Sequence, residues 1–357
     1  MGRPSITAAF ALFAVLCSPV ASSPVALRDT LVIAVGLVDS QVRELKEASN
    51  ADGADFVMID DAVFGRVDTL MKDIEAGRIY ESGVRSPSSL RPFSETILAA
   101  APQIFAYKYI HVVSPKLIPI ELVQQDQDFL GDRVIVSHEF STGARRLLRL
   151  SPITLGFATY LIDAVIGMPP GMPRIDQDIV QTAIALETNI SVELRLNADS
   201  NGFKSILERR DVSILHIDTH GGKDGNTIQV ARDGTMMPAD ELPPHIPIPL
   251  VLLFGCEGVA GDLSFGAVMQ QRGADAVISA FAKFISFGIT GDPAREKQVY
   301  LAFFNGLQAG DDVGSALLRF RKTALAEMTV SSGTRTMTRL FFVLVGNSRL
   351  KFRFATR

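Results

Sequence analysis

The stretch Val212–Gly222 reads VSILHIDTHGG and predicts the fold more directly than any other part of the chain. Its first six residues are apolar except for one serine and one histidine, and polar residues and two glycines follow them. A short apolar run that ends in turn residues is typical of a strand buried on both faces, as in a parallel sheet. The run Leu250–Phe254, which leads into Gly255 and Cys256, has the same character. We therefore expect two neighbouring, fully buried parallel strands.

Outward from these two runs, strand-like and helix-like patterns alternate along the chain. Further strands are predicted at Leu31–Val35, Phe56–Ile59, Ile110–Val113, Val134–Ser137, Leu155–Leu161, Val192–Leu196, Ala276–Ala280 and Phe341–Val345. Helices are predicted at Val63–Ile74, Ile175–Ile184, Phe203–Leu207, Ser264–Arg272, Ala294–Leu307 and Val313–Met328. This alternation predicts an α/β fold with a mostly parallel central sheet and helices on both faces.

The composition is that of a globular protein with a large core. The chain has 357 residues, 47% of them hydrophobic, which excludes the disordered, collagen-like and coiled-coil classes. The net charge of -4 gives no indication of nucleic-acid binding. Two cysteines, Cys17 and Cys256, cannot form a disulfide framework, so the protein is not a small cross-linked scaffold.

Residues 1–22 have the layout of a secretory signal peptide. Arg3 precedes an apolar stretch, Ile6–Leu16, and small residues follow it. The stretch is short for a membrane span, and no later segment reaches the ~18 apolar residues that a span needs. We therefore expect a secreted or periplasmic protein without stable membrane insertion after cleavage; an uncleaved N-terminal anchor is the alternative. Cleavage would remove Cys17 and leave Cys256 as the single thiol.

A histidine and a cysteine follow the two most buried runs: His220 comes after Val212–Ile217, and Cys256 comes after Leu250–Phe254. In an open α/β sheet, functional groups gather outside the carboxyl ends of the strands. Imidazole can take the proton of a thiol, so His220 and Cys256 are candidates for a base and a nucleophile. Gly221 lets its N–H approach a substrate carbonyl, and it would form an oxyanion hole with the Cys256 N–H.

Each of these residues also has another interpretation. A lone cysteine at a strand end is commonly a small buried hydrophobe, and a histidine before two glycines is commonly a turn residue. His216, Asp218 and His220 alternate along one strand, so they would project from one face and could ligate a metal. The other histidines show no ligand spacing, so we predict neither a metal nor another cofactor. For His216 and Asp218 we expect a supporting, hydrogen-bonding role.

The order of motifs resembles a CHAT domain, part of the caspase-like cysteine peptidases of clan CD. The matching segments are Thr219-His220-Gly221, Asp233–Met236, Glu241-Leu242, Cys256-Glu257 and Gly273–Ile278. Further segments that resemble the family are Lys116–Leu122, Phe129–Arg133, Ala309–Ala316 and Phe342–Asn347. The sequence departs from the family pattern at Gly255, where Ala or Ser is usual, and at Gly258, where Ser or Thr is usual.

The resemblance implies a caspase-like three-layer sandwich and an endopeptidase that acts on a protein or peptide substrate. Cys256 would be the nucleophile, His220 the catalytic histidine, and Gly221 would lie beside the oxyanion site. The alternative is a non-catalytic CHAT-like scaffold or binding module. A metal-dependent hydrolase that uses His216, Asp218 and His220 is a third possibility. The sequence predicts neither the substrate-binding residues nor any regulatory partner.

The same resemblance, together with the composition, divides the chain into three parts. Residues 1–22 are the predicted signal peptide, residues 23–94 an N-terminal α/β segment without repeats, and residues 95–357 the CHAT domain. A stretch rich in Ser, Pro, Gly and Arg, Tyr80–Pro92, is the best candidate for a linker.

Overall fold

The computed structural model describes most of the chain with defined gaps. The described residues are 29–76, 88–126, 128–140, 150–164, 191–196, 199–222, 225–231, 233–255, 258–259, 263–282, 293–328 and 338–354. The predicted signal peptide with Cys17 and the predicted helix Ile175–Ile184 lie outside them and stay predictions. Among the helices that the structure describes, none combines the length and apolar character needed to cross a bilayer.

Sixteen strands and seven α-helices are described in these ranges. The strands are β1 (Thr30–Val35), β2 (Asp55–Ile59), β3 (Tyr109–Ser114), β4 (Gln124–Gln125), β5 (Asp128–Phe129), β6 (Ile135–Phe140), β7 (Ile153–Gly156), β8 (Tyr160–Ala164), β9 (Val192–Leu196), β10 (Ile214–Asp218), β11 (Thr227–Gln229), β12 (Met236–Pro238), β13 (Leu250–Phe254), β14 (Ala276–Ala280), β15 (Phe342–Gly346) and β16 (Leu350–Arg353). The helices are α1 (Asp39–Ala51), α2 (Val63–Glu75), α3 (Leu90–Ala100), α4 (Ser200–Leu207), α5 (Phe265–Gln271), α6 (Pro293–Gln308) and α7 (Val313–Met328).

Ten of these strands form one central sheet, in the order β2-β1-β3-β6-β15-β14-β13-β10-β8-β9. Neighbouring strands are parallel everywhere except between β14 and β15. The sheet therefore consists of two parallel blocks of five strands that run in opposite directions. Their carboxyl ends lie at opposite edges, and the edge with the ends of β10 and β13 is the one that matters for the predicted site.

The sheet is covered on both faces, which confirms the predicted α/β three-layer architecture. Helices α2 to α5 pack on one face, against strand residues such as Ile33 and Leu215. On the other face, α6 and α7 pack against alternate residues such as Ile214 and Ile278. Helix α1 packs on that second face as well, where Leu45 contacts the far side of β1.

One predicted strand, Leu155–Leu161, is wrong as a single element. The chain instead forms two strands, β7 and β8, that are separated by residues 157–159. β7 leaves the central sheet to pair with β16, whereas β8 pairs with β9 and β10 inside it. Periodicity alone could not locate the break, because Phe157 and Ala158, which lie between the two strands, are also apolar.

Helix α1 was not predicted, since only Leu45 and Ser49 of its residues are buried and no apolar period marks it. Helix α3 begins at Leu90, so the last residues of the predicted linker are helical, and the linker's residues 80–87 lie outside the described part. The predicted boundary between residues 94 and 95 falls inside α3. The residues on either side of it contribute strands to one block, since β1 pairs with both β2 and β3.

The described residues within 29–140, here called the N-terminal unit, join the rest of the molecule along a seam at β15. Among the described residues, the backbone ladder between β15 and β6 is a single pair, Val345 and His138. Three arginine–carboxylate pairs supplement it, each with its arginine on the later part of the chain. They are Arg321 with Glu121 (3.5 Å), Arg339 with Asp132 (2.6 Å) and Arg349 with Asp29 (2.9 Å). A buried hydrogen bond from the Tyr109 hydroxyl to Asp312 (2.7 Å) adds a fourth link.

Close packing at this seam predicts that Gly314→Ala destabilises the protein. A Cβ at Gly314 would lie 2.3 Å from Cγ2 of Ile135, so α7 and β6 would have to separate. We expect a loss of about 1–3 kcal/mol in the free energy of unfolding, measured by urea denaturation.

Gly65→Ala is the control, because Gly65 also lies in a helix but has nothing within 4 Å of the position that a Cβ would take. There the substitution should be neutral or stabilise by up to about 1 kcal/mol. Equal effects of the two substitutions would contradict close packing at the seam.

Candidate active site

The parallel pairing of β10 with β13 brings the two predicted site segments to one edge of the sheet. Asp218, the last residue of β10, is opposite Phe254, the last residue of β13. The pairing continues for one further residue, because the Thr219 N–H donates to the Phe254 carbonyl at 3.0 Å. His220 follows directly and is exposed to solvent. The structure therefore places His220 at the carboxyl edge of the sheet, as predicted.

The backbone that leads to Cys256 runs against the backbone that carries His220. An ideal Cβ at Gly255 would lie 3.3 Å from the Thr219 carbonyl oxygen and 3.5 Å from the Gly221 nitrogen. A side chain at position 255 would crowd this approach, which favours glycine there. Cys256 itself lies outside the described residues, so its role as nucleophile and oxyanion donor stays a prediction.

A small hairpin, β11–β12, holds the backbone around His220 from the other side. The Gln229 N–H donates to the His220 carbonyl at 2.9 Å, and the Gly222 N–H donates to the Thr227 carbonyl at 2.8 Å. The Thr219 hydroxyl donates to the Gln229 carbonyl as well. His220 is thus fixed between this hairpin and β13. The sequence analysis did not predict the hairpin, although Asp233-Gly234 is a turn signal that could have revealed it.

The Gly221 N–H makes no hydrogen bond to the described residues of the hairpin. It forms an isolated antiparallel bridge with Ile228, but the residues flanking the bridge make both hydrogen bonds. The Gly221 N–H has no partner among the described residues, and its nitrogen is the one that faces Gly255. This arrangement is what an oxyanion donor beside a nucleophile requires, namely an oriented and uncommitted backbone N–H.

Gly258, two residues after Cys256 in the sequence, is required by the close approach of two neighbouring side chains. An ideal Cβ there would lie 2.3 Å from the Ser279 hydroxyl oxygen and 3.0 Å from Cδ2 of Leu253. Ser or Thr at this position would therefore require Ser279 to move. The Gly258 carbonyl also accepts a hydrogen bond from the Gly266 N–H (2.9 Å), which fixes the chain as it enters α5.

His216 lies beneath the candidate site in an aromatic cluster. Its Nδ1 is hydrogen-bonded to the Tyr160 hydroxyl at 2.8 Å, and its ring centroid is 4.7 Å from that of Phe254. Burial lowers the pKa of His216 to about 3, so the ring is neutral. Nε2 has no hydrogen-bond partner among the described residues. His216 therefore packs against Phe254, and its supporting role at the site stays a prediction.

The alternative metal site is not assembled. His216, Asp218 and His220 all belong to the described residues, and no group of three metal-binding side chains converges anywhere among those residues. The reason is that the His216 ring is buried and bonded to Tyr160, whereas His220 lies beyond the end of the strand and faces solvent. Alternation along β10 was therefore not sufficient to predict a metal site, because it does not show which residues each side chain contacts.

The structure adds one ionisable group that the sequence analysis missed. Asp163 lies near the carboxyl end of β8, opposite Ile217 of β10. Neither carboxylate oxygen has a hydrogen-bond partner among the described residues, and burial raises the pKa of this carboxyl to about 6 despite nearby Arg195. A single aspartate after an apolar run gives no sequence signal for such burial.

Comparisons with known proteins give a likeness in fold only. No model of a known protein family matches the chain, and no curated protein matches it. The Saccharomyces cerevisiae separase–securin complex, solved at 3.0 and 2.6 Å resolution, matches with 14% identity and a TM-score of 0.40 in both structures, over 68% and 74% of this chain. The match covers only 15% and 18% of those chains. The Drosophila initiator caspase Dronc matches with 14% identity and a TM-score of 0.35, over 59% of this chain and 91% of its own.

The buried state of His216 predicts a specific pH dependence of stability. Since the unfolded histidine binds a proton near pH 6.5 and the folded one only near pH 3, acidification favours the unfolded state between these values. We expect the free energy of unfolding to fall by up to about 1.4 kcal/mol per pH unit from this group below pH 6. The His216→Phe variant should lose that contribution, as measured by urea denaturation from pH 7 to pH 5.

The control is Tyr160→Phe, which removes the hydroxyl but keeps the buried imidazole. It should retain the wild-type slope, while both variants lose some stability at pH 7. Opposing titration of Asp163 is common to all three proteins, so only the difference in slope counts. Identical slopes for wild type and His216→Phe would contradict a buried, neutral His216.

Proposed function

We propose that this chain is a cysteine peptidase of the CHAT type, with Cys256 as nucleophile and His220 as its base. The observation that carries the proposal is the approach of the two backbones at one sheet edge, where Gly255 lies against Thr219 and Gly221. Cys256 is bonded to Gly255, and the proposal has its thiol meet the imidazole of His220 at this edge.

The proposed reaction uses the two side chains and two backbone donors. His220 takes the proton of the Cys256 thiol, and the thiolate attacks the carbonyl carbon of the scissile peptide bond. The Gly221 and Cys256 N–H groups hold the oxyanion that forms. His220 then passes its proton to the leaving amine, and the C–N bond breaks to leave a thioester. Water, deprotonated by His220, hydrolyses this acyl-enzyme and regenerates the thiol.

The exposure of His220 suits this cycle, since the imidazole must meet a thiol, an amine and a water in turn. The hairpin bonds engage the Thr219 hydroxyl and the His220 backbone carbonyl, and they leave the imidazole itself uncommitted among the described residues. The substrate would be a protein or peptide. The predicted signal peptide supports action outside the cytoplasm, in the periplasm or after secretion, and that location is part of the proposal.

The test is thiol alkylation of the purified protein with an iodoacetamide probe, with the labelled site located by peptide mapping. A free thiol of ordinary pKa is about 3% ionised at pH 7, so a thiolate paired with His220 should react up to roughly thirtyfold faster. His220→Ala should abolish this acceleration, and Cys256→Ala should abolish labelling at that site. His245→Ala, which removes another exposed histidine, should have no effect.

Peptide hydrolysis is then measured on an unbiased peptide library with the same variants. Loss of hydrolysis in both Cys256→Ala and His220→Ala would support the peptidase. Slow labelling that is indifferent to His220→Ala, with no cleavage of any peptide, would overturn the proposal. That outcome would favour the alternative, a CHAT-like scaffold or binding module without catalysis.

A further inference from the structure

Arg321 of α7 connects the N-terminal unit to the strand that backs the candidate site. Its side chain is only 1% exposed. Within the N-terminal unit it donates to the Gly131 carbonyl (3.3 Å) and to Oε1 of Glu121 (3.5 Å). It also donates to the carbonyl of Phe342, the first residue of β15. One buried side chain therefore fixes the start of β15 against the N-terminal unit.

The charge of Arg321 is balanced inside the protein. Glu121 is fully buried, and His138 donates to its two oxygens at 3.0 and 3.2 Å. Although burial works to raise it, the pKa of Glu121 is held below its usual value by His138 and Arg321. The carboxylate is thus ionised opposite the guanidinium. Removing either partner would leave a buried charge uncompensated, so the pair holds its geometry firmly.

Phe342 links the start of β15 to the candidate site. It lies opposite Ala280, at the same sheet edge as His220. Its ring centroid is 5.1 Å from that of Phe254, which in turn rests on His216. Phe254 is the last residue before Gly255 and accepts the hydrogen bond from Thr219. A shift of Phe342 would therefore move Phe254, and Phe254 helps to position both predicted site segments.

Arg339 provides an internal comparison at the same seam. It is 2% exposed and makes two bonds to Asp132, at 3.0 and 2.6 Å. Both arginines are buried, and both pair with a carboxylate of the N-terminal unit. Of these two arginines, only Arg321 donates to a strand of the central sheet among the described contacts.

From this difference we infer that Arg321 is a positioning residue for the candidate active site, through which the N-terminal unit holds the site in place. The inference rests on the proposed function of Cys256 and His220. The N-terminal unit would act by holding the Phe342 carbonyl, and hence the Phe342–Phe254 contact, in the arrangement that aligns the thiol with the imidazole.

The experiment compares Arg321→Lys with Arg339→Lys in the full chain. Lysine keeps the charge but cannot reach three separated acceptors as the guanidinium fork does. Two quantities are measured: the alkylation rate of Cys256 as a function of pH, and amide hydrogen exchange in Leu250–Gly255. We expect Arg321→Lys to slow alkylation by about tenfold at pH 7, since a ~1 Å misplacement can cost up to ~100-fold. Exchange in Leu250–Gly255 should accelerate in the same variant.

Arg339→Lys should leave both quantities near the wild-type values, even though it lowers stability at the seam. Equal changes in the two variants would show that the seam is only structural and would overturn the inference. No change in Arg321→Lys would overturn it as well. Each measurement is made at a temperature where circular dichroism shows the variant to be folded.

Phe342→Leu carries the test if the lysine variants do not fold, because it keeps the ion pairs and removes only the ring. It should slow alkylation and accelerate exchange as Arg321→Lys does. Wild-type values of both quantities in Phe342→Leu would show that the Phe342–Phe254 contact does not position the site, and would overturn the inference. Exchange does not depend on thiol chemistry. An unreactive Cys256 in the wild type, combined with faster exchange in the Arg321 and Phe342 variants, would therefore reject the proposed function alone.

Discussion

The register between β10 and β13 is the constraint on which the candidate site depends. Five residue pairs, from Ile214 with Leu250 to Asp218 with Phe254, align two strands that are almost entirely buried. A slip by one residue would turn every side chain to the opposite layer, so burial on both faces fixes the alignment strongly. The two strands therefore end level with each other, and His220 follows the end of β10 beside the backbone of Gly255. The chemistry at this edge follows from hydrophobic packing below it.

The sheet edge also requires glycine at three positions, because a different neighbouring group lies close to each of them. Gly255 accommodates the Thr219 carbonyl, Gly258 accommodates the Ser279 hydroxyl, and Gly222 leaves room for Thr227, whose hydroxyl would lie 1.8 Å from a Cβ there. These close approaches bring three separate segments together at one point. They also give a steric reason for glycine at positions 255 and 258.

Much of the central sheet could be predicted from the sequence, because its strands are buried on both faces and appear as continuous apolar runs. The placement of His220 followed from the same runs and from the rule that parallel strands end at one edge. Features that depend on contacts between distant residues could not be predicted. Helix α1 lacks an apolar period because it is mostly exposed, the break between β7 and β8 depends on the partner β16, and the ion pair of Arg321 with Glu121 joins residues with no sequence relation. The sequence also could not show that the His216 ring would be buried and bonded to Tyr160 while His220 is exposed to solvent.

The position of β15 has a consequence for how the molecule assembles. This strand comes late in the chain, yet it lies in the middle of the sheet, between β6 and β14. Val345 and His138, which it brings together, are about 200 residues apart, and contacts of such separation slow folding. During synthesis β6 and β14 would each wait for β15 with an unpaired edge, and an unpaired edge is prone to join other chains. Completion of the central sheet therefore depends on a strand that is synthesised after most of its neighbours.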